Sequence, residues 1–282
     1  MPKAIDFHIH PPTDPSQPPS AFAEQMRRYF RSGPGPKSAG EMAAKYEELD
    51  IFGVLLALNE ESARGEPPVS NDYVAGIVRR YPKQFIGFGS VDPWQGKMAV
   101  KEVERCAKEL GLRGIKLMPI TQEFFMNDPR FYPIWAKCAE LKLVILIHSG
   151  TTAIGAGLPG GGGFKLKYAQ PIPYIDDVAA DFPELTIVMA HPAFPWQEEQ
   201  LAMLVHKANL YMDLSGWSPK YFSPSLIQYA NTMLQEKVLF GSDYPGLPPE
   251  RWLKDFEDAP FRDEVRPKIL LENAQRVLGL EF

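Results

Sequence analysis

The sequence predicts an α/β fold of one kind, a single (β/α)8 TIM barrel with a parallel eight-stranded core, and three observations lead there. Short apolar runs recur along the whole chain, stretches of helical period separate them, and 282 residues is the length of one such barrel. The runs are near-continuous in apolar residues, as strands covered on both faces are. An open doubly wound sheet is the runner-up. No break in composition marks a second domain, so residues 1–282 read as one unit.

The first run is Ala4 to Ile9, stopped by Pro11-Pro12. From Asp14 to Lys37 the chain is rich in Pro, Ser and Gly around a short helical piece at Ala21 to Arg31, a long excursion of the sort that carries function. Ser38-Ala39-Gly40-Glu41 has the form of a capping box, and Met42, Ala43, Tyr46 and Leu49 suit the helix it would open. Strand-like runs follow at Phe52 to Leu58, Phe85 to Val91, Gly114 to Met118, Leu143 to Ile147, Leu185 to Ala190, Leu210 to Leu214 and Val238 to Gly241. Between them, helical period marks Asp72 to Tyr81, Ala99 to Leu110, Phe131 to Leu141, Ile175 to Phe182, Glu198 to Ala208 and Ser225 to Leu234. Parallel neighbours require such crossovers. Leu270 to Leu280 reads as a closing helix packed on the barrel.

Composition is that of an ordinary globular chain, 45% hydrophobic and 23% charged. A net charge of -5 gives no basic footprint for nucleic acid and argues against an anionic membrane surface. Cys106 and Cys138 both fall in helical stretches and are expected to be reduced and buried, so the cytoplasm is the expected compartment. The first strand is read as beginning almost at Met1, so no signal or transit peptide is expected, and no run approaches transmembrane length. The 28 prolines are spread over many short connections.

Chemistry-bearing residues gather at the carboxyl ends of the strands, where barrels build their sites. In Asp6-Phe7-His8-Ile9-His10 the period of two puts His8 and His10 on one side, able to present nitrogens to one point, with Asp6 one step deeper on the same face. His148 ends the fifth run, His191 the sixth, and Asp243 follows the eighth. Any one of these alone is more often a satisfied core histidine or a helix cap. All of them at equivalent ends of one cyclic arrangement is a different matter.

The chain resembles the amidohydrolase superfamily, in the branch that includes aminocarboxymuconate semialdehyde decarboxylase. The likeness rests on Asp6-Phe7-His8-Ile9-His10, Gly114-Ile115-Lys116-Leu117, Ile147-His148-Ser149-Gly150, Ala190-His191-Pro192, Gly241-Ser242-Asp243-Tyr244-Pro245 and Glu272-Asn273-Ala274-Gln275-Arg276, which run in family order over nearly the whole chain. It implies that His8, His10, His148 and Asp243 bind a divalent metal. It also implies that His191 stands beside the metal as a catalytic or water-orienting group, with Asp243 serving as both ligand and proton acceptor. One ion is expected, Zn preferred on ligand type and Mn admissible. Lys116 lies on the fourth run, where binuclear relatives carry a bridging carbamylated lysine; the alternative is a barrel-interior cation paired with Asp6. A second metal is the less favoured reading.

A metal-bound water, its pKa lowered from about 15.7 to near 7, makes hydrolysis of a lactone, amide or ester the first expectation. Decarboxylation of an unsaturated or aromatic acid is ranked just below it, and an inactive barrel serving as a binding protein is the reading from another class. The stretch Gly155-Ala156-Gly157-Leu158-Pro159-Gly160 satisfies G-x-G-x-x-G, but Pro159 and the glycines after it argue against the helix that a nucleotide site needs. Thr151 to Tyr168 reads instead as a flap over the metal. Trp94, Met118, Thr121 and Trp217 follow strand ends and suit a flat, partly apolar substrate, while Arg251 or Arg64 would take its carboxylate. His206 is expected to be a surface bystander. The partner is a small molecule, and a homo-oligomer is left open.

Overall fold

The computed structural model describes residues 1–15, 21–30 and 33–281. Its strands are β1 (Ala4–Ile9), β2 (Ile51–Leu56), β3 (Phe85–Ser90), β4 (Gly114–Leu117), β5 (Val144–His148), β6 (Ile187–Ala190), β7 (Leu210–Asp213) and β8 (Val238–Leu239). They pair in sequence order, every neighbour parallel. The barrel closes where Phe7 N–H donates to Phe240 O at 2.9 Å, Asp243 N–H to His8 O at 2.9 Å and His10 N–H to Tyr244 O at 2.8 Å.

The helices are α1 (Ala21–Phe30), α2 (Ala39–Glu48), α3 (Glu61–Arg64), α4 (Asn71–Arg80), α5 (Lys97–Lys108), α6 (Pro119–Gln122), α7 (Tyr132–Glu140), α8 (Tyr174–Asp181), α9 (Gln197–His206), α10 (Pro224–Ala230), α11 (Pro249–Glu257) and α12 (Asn273–Leu278). The expected end of α1 at Arg31 falls outside the described residues. Ser38 caps α2, its Oγ accepting from Glu41 N–H at 3.1 Å, but Glu41 reaches past the cap to Lys37 N–H at 3.0 Å, so only half of a capping box forms. No helix among the described residues is long and apolar enough to cross a membrane.

Two apolar layers follow from the strands being covered on both faces. Ile5, Phe7, Val54, Leu56, Phe88, Val144, Leu146, Val188 and Leu239 fill the barrel, and Leu271, Ala274 and Leu278 of the C-terminal turns join them. Ile9, Leu55, Ile115, Leu117, Ile145, Ile147, Met189 and Met212 pack outward with the buried helix faces. Cys106 and Cys138 are free thiols buried in that outer layer, as expected.

The first strand departs from simple alternation, and the departure corrects one reading of the sequence. Asp6 pairs with Gly53 and Ile9 with Leu55, so three steps on β1 match two on β2. That bulge lets Phe7 enter the inner cluster while Ile9 joins the outer one. The histidines after the bulge still share a side, but Asp6 does not share it. Its carboxylate turns away and accepts from Ser242 N–H at 2.8 Å, Ser242 Oγ–H at 2.6 Å and Tyr46 O–H at 2.9 Å. Asp6 is therefore not the partner of Lys116.

Candidate metal centre

His8 sits just past the bulge, 1% exposed, and its two nitrogens have different neighbours. Nδ1 lies 3.0 Å from Asp213 Oδ2 and Nε2 lies 3.5 Å from Asp243 Oδ1. A carboxylate can only accept, so Asp213 fixes the proton on Nδ1 and leaves Nε2 as the lone-pair nitrogen, beside Asp243 and 3.3 Å from Lys116 Nζ. His10 Nε2 lies 3.1 Å from the same Asp243 oxygen. His8, His10 and Asp243 each offer one ligand atom, and these atoms lie within 4.8 Å of one another. The His8, His191 and Asp213 group is equally close but spends Asp213 on the tautomer, so it supports the first group from beneath.

Burial supplies the charge states. Burial, with the Lys116 charge adding to it and Asp213 opposing, pushes His8 down to about 3, so a neutral imidazole faces the cradle at neutral pH. Burial likewise lowers His148 and His191. Burial alone would raise Asp243, but the His10 hydrogen bond and the neighbouring imidazoles hold its carboxyl far below the ordinary range. Asp213 is held down in the same way by His8. Imidazole nitrogens of His8 and His10 and an ionised Asp243 oxygen are a donor set for Zn or Mn, so the residues present fit a divalent ion.

His191 and Asp243 both adopt the left-handed backbone region, with φ of 68° each. Non-glycine residues hold that conformation only where surroundings dictate it. Around His191 these are Asp213 Oδ1, which accepts from its N–H at 3.2 Å, and Gln200 Nε2, which donates to its carbonyl at 2.8 Å. The His191 ring sits 4.9 Å from that of His8 and 4.8 Å from that of His148. Its Nδ1–H donates to Ser215 O at 3.0 Å, which turns Nε2 outward. Gly216, at φ 74°, passes so close that a Cβ there would lie 2.9 Å from His191 Nδ1 and 3.3 Å from Asp243 Oδ2.

His148 closes β5, 4% exposed, with Nε2 3.1 Å from Thr151 O. The carbonyl makes that nitrogen a donor and leaves Nδ1 as the ring's lone pair, but neither nitrogen belongs to the close group of His8, His10 and Asp243 among the described residues. Lys116 is 2% exposed and extends inward to place Nζ 3.3 Å from His8 Nε2. Burial lowers its ammonium to about 8, against the pull of Asp213 and Asp243.

The other candidates lie around the rim. Trp94 Nε1–H donates to Gln122 O at 2.7 Å and Arg130 covers its ring at 5.0 Å. Trp217 faces Phe194 at 6.0 Å. Arg64 lies 4.3 Å over the Phe164 ring and 3.7 Å from Glu123, and Arg251 leans 3.9 Å toward Asp255 on its own helix. Met118 and Thr121 are buried at the end of β4. The glycine-rich connection forms tight left-handed turns instead of a helix at Gly160 to Gly162. Phe164 and Ala169 pack it onto Ile120, and a Cβ at Gly157 would meet the Tyr29 ring at 2.4 Å. His206 is exposed at the end of α9.

Sequence reasoning missed Asp213 and Ser215. Asp213 ends β7 as His148 ends β5 and as His191 directly follows β6, and that matching position was the available signal. Ser215 carried none, since its role depends on a turn that brings its Oγ to Asp213 and 2.8 Å from His191 Nδ1.

A closed barrel whose mouth collects histidines and an aspartate around one point has the fold and the donors of a metal-binding barrel. The sequence profile described as Amidohydrolase matches residues 5–280, and the chain belongs to that family. It is 26% identical over 243 residues to 2-amino-3-carboxymuconate-6-semialdehyde decarboxylase of Dictyostelium discoideum, covering 75% of this chain and 66% of that protein, just under two thirds of its length. An uncharacterized TIM-barrel protein of Bordetella bronchiseptica superposes with a TM-score of 0.80 at 27% identity, over 98% of both chains. A 5-carboxyvanillate decarboxylase of Novosphingobium aromaticivorans, solved with bound manganese and 3-methoxy-4-hydroxy-5-nitrobenzoic acid, shares the fold at a TM-score of 0.67 and 19% identity, over 98% of this chain and 97% of that one.

The decarboxylase names correct the expectation of hydrolysis. The physical reason is that this donor set is indifferent to reaction type: it can activate a water or hold an acid, and nothing in a ligand list ranks the two. Family membership and the enzyme names support an enzyme over a binding barrel.

Proposed function

We propose that residues 1–282 form one catalytic domain, a metal-dependent carboxy-lyase acting on a small unsaturated or aromatic carboxylic acid. The observation that carries the reading is the placement of His191 against the cradle, 4.9 Å ring to ring from His8, with Nδ1 committed to Ser215 so that Nε2 is the nitrogen left for chemistry. The names of the relatives support the same class.

His8, His10 and Asp243 would hold the ion, with His148 as the further ligand beside His191. When bound, the ion supplies Lewis-acid polarisation of a substrate oxygen, and Zn and Mn both suit the donors. The protein's own part is proton management. Loss of carbon dioxide leaves an electron pair on the vacated carbon, and a proton must arrive there. His191 would first take a proton from solvent onto Nε2, giving an imidazolium, and then pass that proton to the carbon while Ser215 O keeps the Nδ1 proton in place. A lowered affinity for that proton makes the transfer easier. Asp243, 27% exposed, and His10, 38% exposed, form the open rim through which the acid enters, while His8 and Asp213 form the dry floor.

The test is anaerobic incubation of the metal-loaded protein with a panel of hydroxybenzoic and unsaturated carboxylic acids. Carbon dioxide and a product one carboxyl group shorter are expected, and His191→Asn should abolish both while keeping the metal. A lactone or amide opened by water, with no acid in the panel losing carbon dioxide, would overturn the proposal.

A further inference from the structure

Lys116 is a charged group of the barrel interior that the proton chemistry above does not use. Lys116 enters between Ile115 and Leu117, both of which face the helices, and its side chain is buried with Nζ at the floor of the cradle. An ammonium carries three N–H donors and accepts nothing. Among the described residues the hydrogen-bond partner of Nζ is His8 Nε2 at 3.3 Å, which accounts for one donor.

The nearby acids are engaged elsewhere. Asp6 is turned away and takes its bonds from Ser242 and Tyr46. Asp213 Oδ2 accepts from His8, and its Oδ1 accepts from Ser215 N–H at 3.0 Å and His191 N–H at 3.2 Å. Asp243 Oδ1 faces His10. A cation taken out of water with donors unspent is costly unless something arrives to accept them. A carboxylate is the complementary group, since it brings lone pairs and a negative charge together.

We propose that Lys116 is the carboxylate anchor of the site: its ammonium binds the substrate's departing carboxylate against the cradle. This rests on the carboxy-lyase reading for the word departing, though the anchor itself is a binding claim. A divalent ion in the cradle would add positive charge beside the ammonium, and a carboxylate lying between them relieves that repulsion. Acid binding and metal binding should therefore strengthen each other. When the carbon–carbon bond breaks, its electron pair stays on the substrate carbon, the proton comes from His191, and the carboxylate leaves as neutral carbon dioxide. The Lys116 protons stay where they are. The contact is lost as charge leaves the carboxylate, so it belongs to substrate binding and not to the transition state.

The experiment measures equilibrium binding of salicylate and of phenol, which differ by the carboxylate, to metal-loaded wild type, Lys116→Met and Lys116→Arg, with metal content read in parallel. Wild type should favour salicylate. Lys116→Met should lose about 10- to 100-fold in salicylate affinity, the size of one charge-assisted contact, with phenol binding and metal content unchanged. Lys116→Arg should recover part of the loss. On any acid that turns over, Lys116→Met should raise KM and kcat together and leave kcat/KM within a few fold. Removing a buried cation for an apolar chain of similar length is compatible with folding, and Lys116→Gln repeats the test if the methionine variant is insoluble. Wild type that binds both probes alike, or a variant that keeps salicylate or loses both probes equally, overturns the anchor. A selective loss with no acid releasing carbon dioxide keeps the anchor and sinks the carboxy-lyase reading.

Discussion

Asp213 was absent from the sequence reading, yet the geometry gives it control over the cradle, and Asp213→Asn isolates that control. Its Oδ1 accepts from three donors, His191 N–H, Ser215 N–H and Ser215 Oγ–H, while Oδ2 accepts from the single His8 Nδ1–H at 3.0 Å. An asparagine of the same shape will keep its oxygen where three donors converge and turn its NH2 toward His8. An N–H facing an N–H is untenable, so His8 is driven to move its proton to Nε2, and the lone pair then faces residue 213 instead of Asp243. The change costs the cradle a nitrogen ligand without removing an atom from it. Loss of such supporting partners typically weakens metal binding by about 10- to 100-fold, which is about 1.4 to 2.7 kcal/mol. Competition against a chelating dye, run beside a urea melt of the metal-free protein, measures the two effects separately. Equal metal affinity in variant and wild type, with the fold intact, would refute the tautomer argument and with it the assignment of Asp213 as a support.

Gly216→Ala should lower stability by about 1 to 3 kcal/mol in urea, since it joins a side chain to a φ of 74° and sets a Cβ against His191; a change under about 0.5 kcal/mol would mean the turn yields freely. Asp6→Asn tests the pH account. Burial raises the Asp6 carboxyl to about 7 despite the Ser242 and Tyr46 hydrogen bonds. Between about pH 4 and 7 the folded chain therefore holds a proton that the unfolded chain has released, and that contribution to stability drains away as pH rises. The asparagine variant lacks this loss, so its stability relative to wild type should rise by up to about 3 kcal/mol between urea melts at pH 5 and pH 8. A difference that stays constant or falls would show Asp6 ionised throughout.

Residues set by strand period and strand ends were legible before any coordinates. The runs from β2 to β8 read as buried because both faces are apolar, and His8, His10, His191 and Asp243 converge because a barrel brings equivalent strand ends together. What escaped depends on departures from period or on contacts between remote turns. The bulge in β1 turned Asp6 away from the histidines, and no pattern of apolar residues announces an extra residue in a strand. Lys116 thereby lost its expected acid. Ser215 and Gly216 act through a turn whose course only the packed loops define. The choice between hydrolysis and decarboxylation escaped for a chemical reason, since both reactions draw on the same ligands.

Elemental analysis of the purified protein tests the centre most directly. The account predicts one equivalent of Zn or Mn per chain in wild type, lost on substitution of His10→Ala or Asp243→Ala with secondary structure unchanged. Wild-type protein that takes up no divalent ion at any neutral pH, or variants that keep a full equivalent, would contradict it.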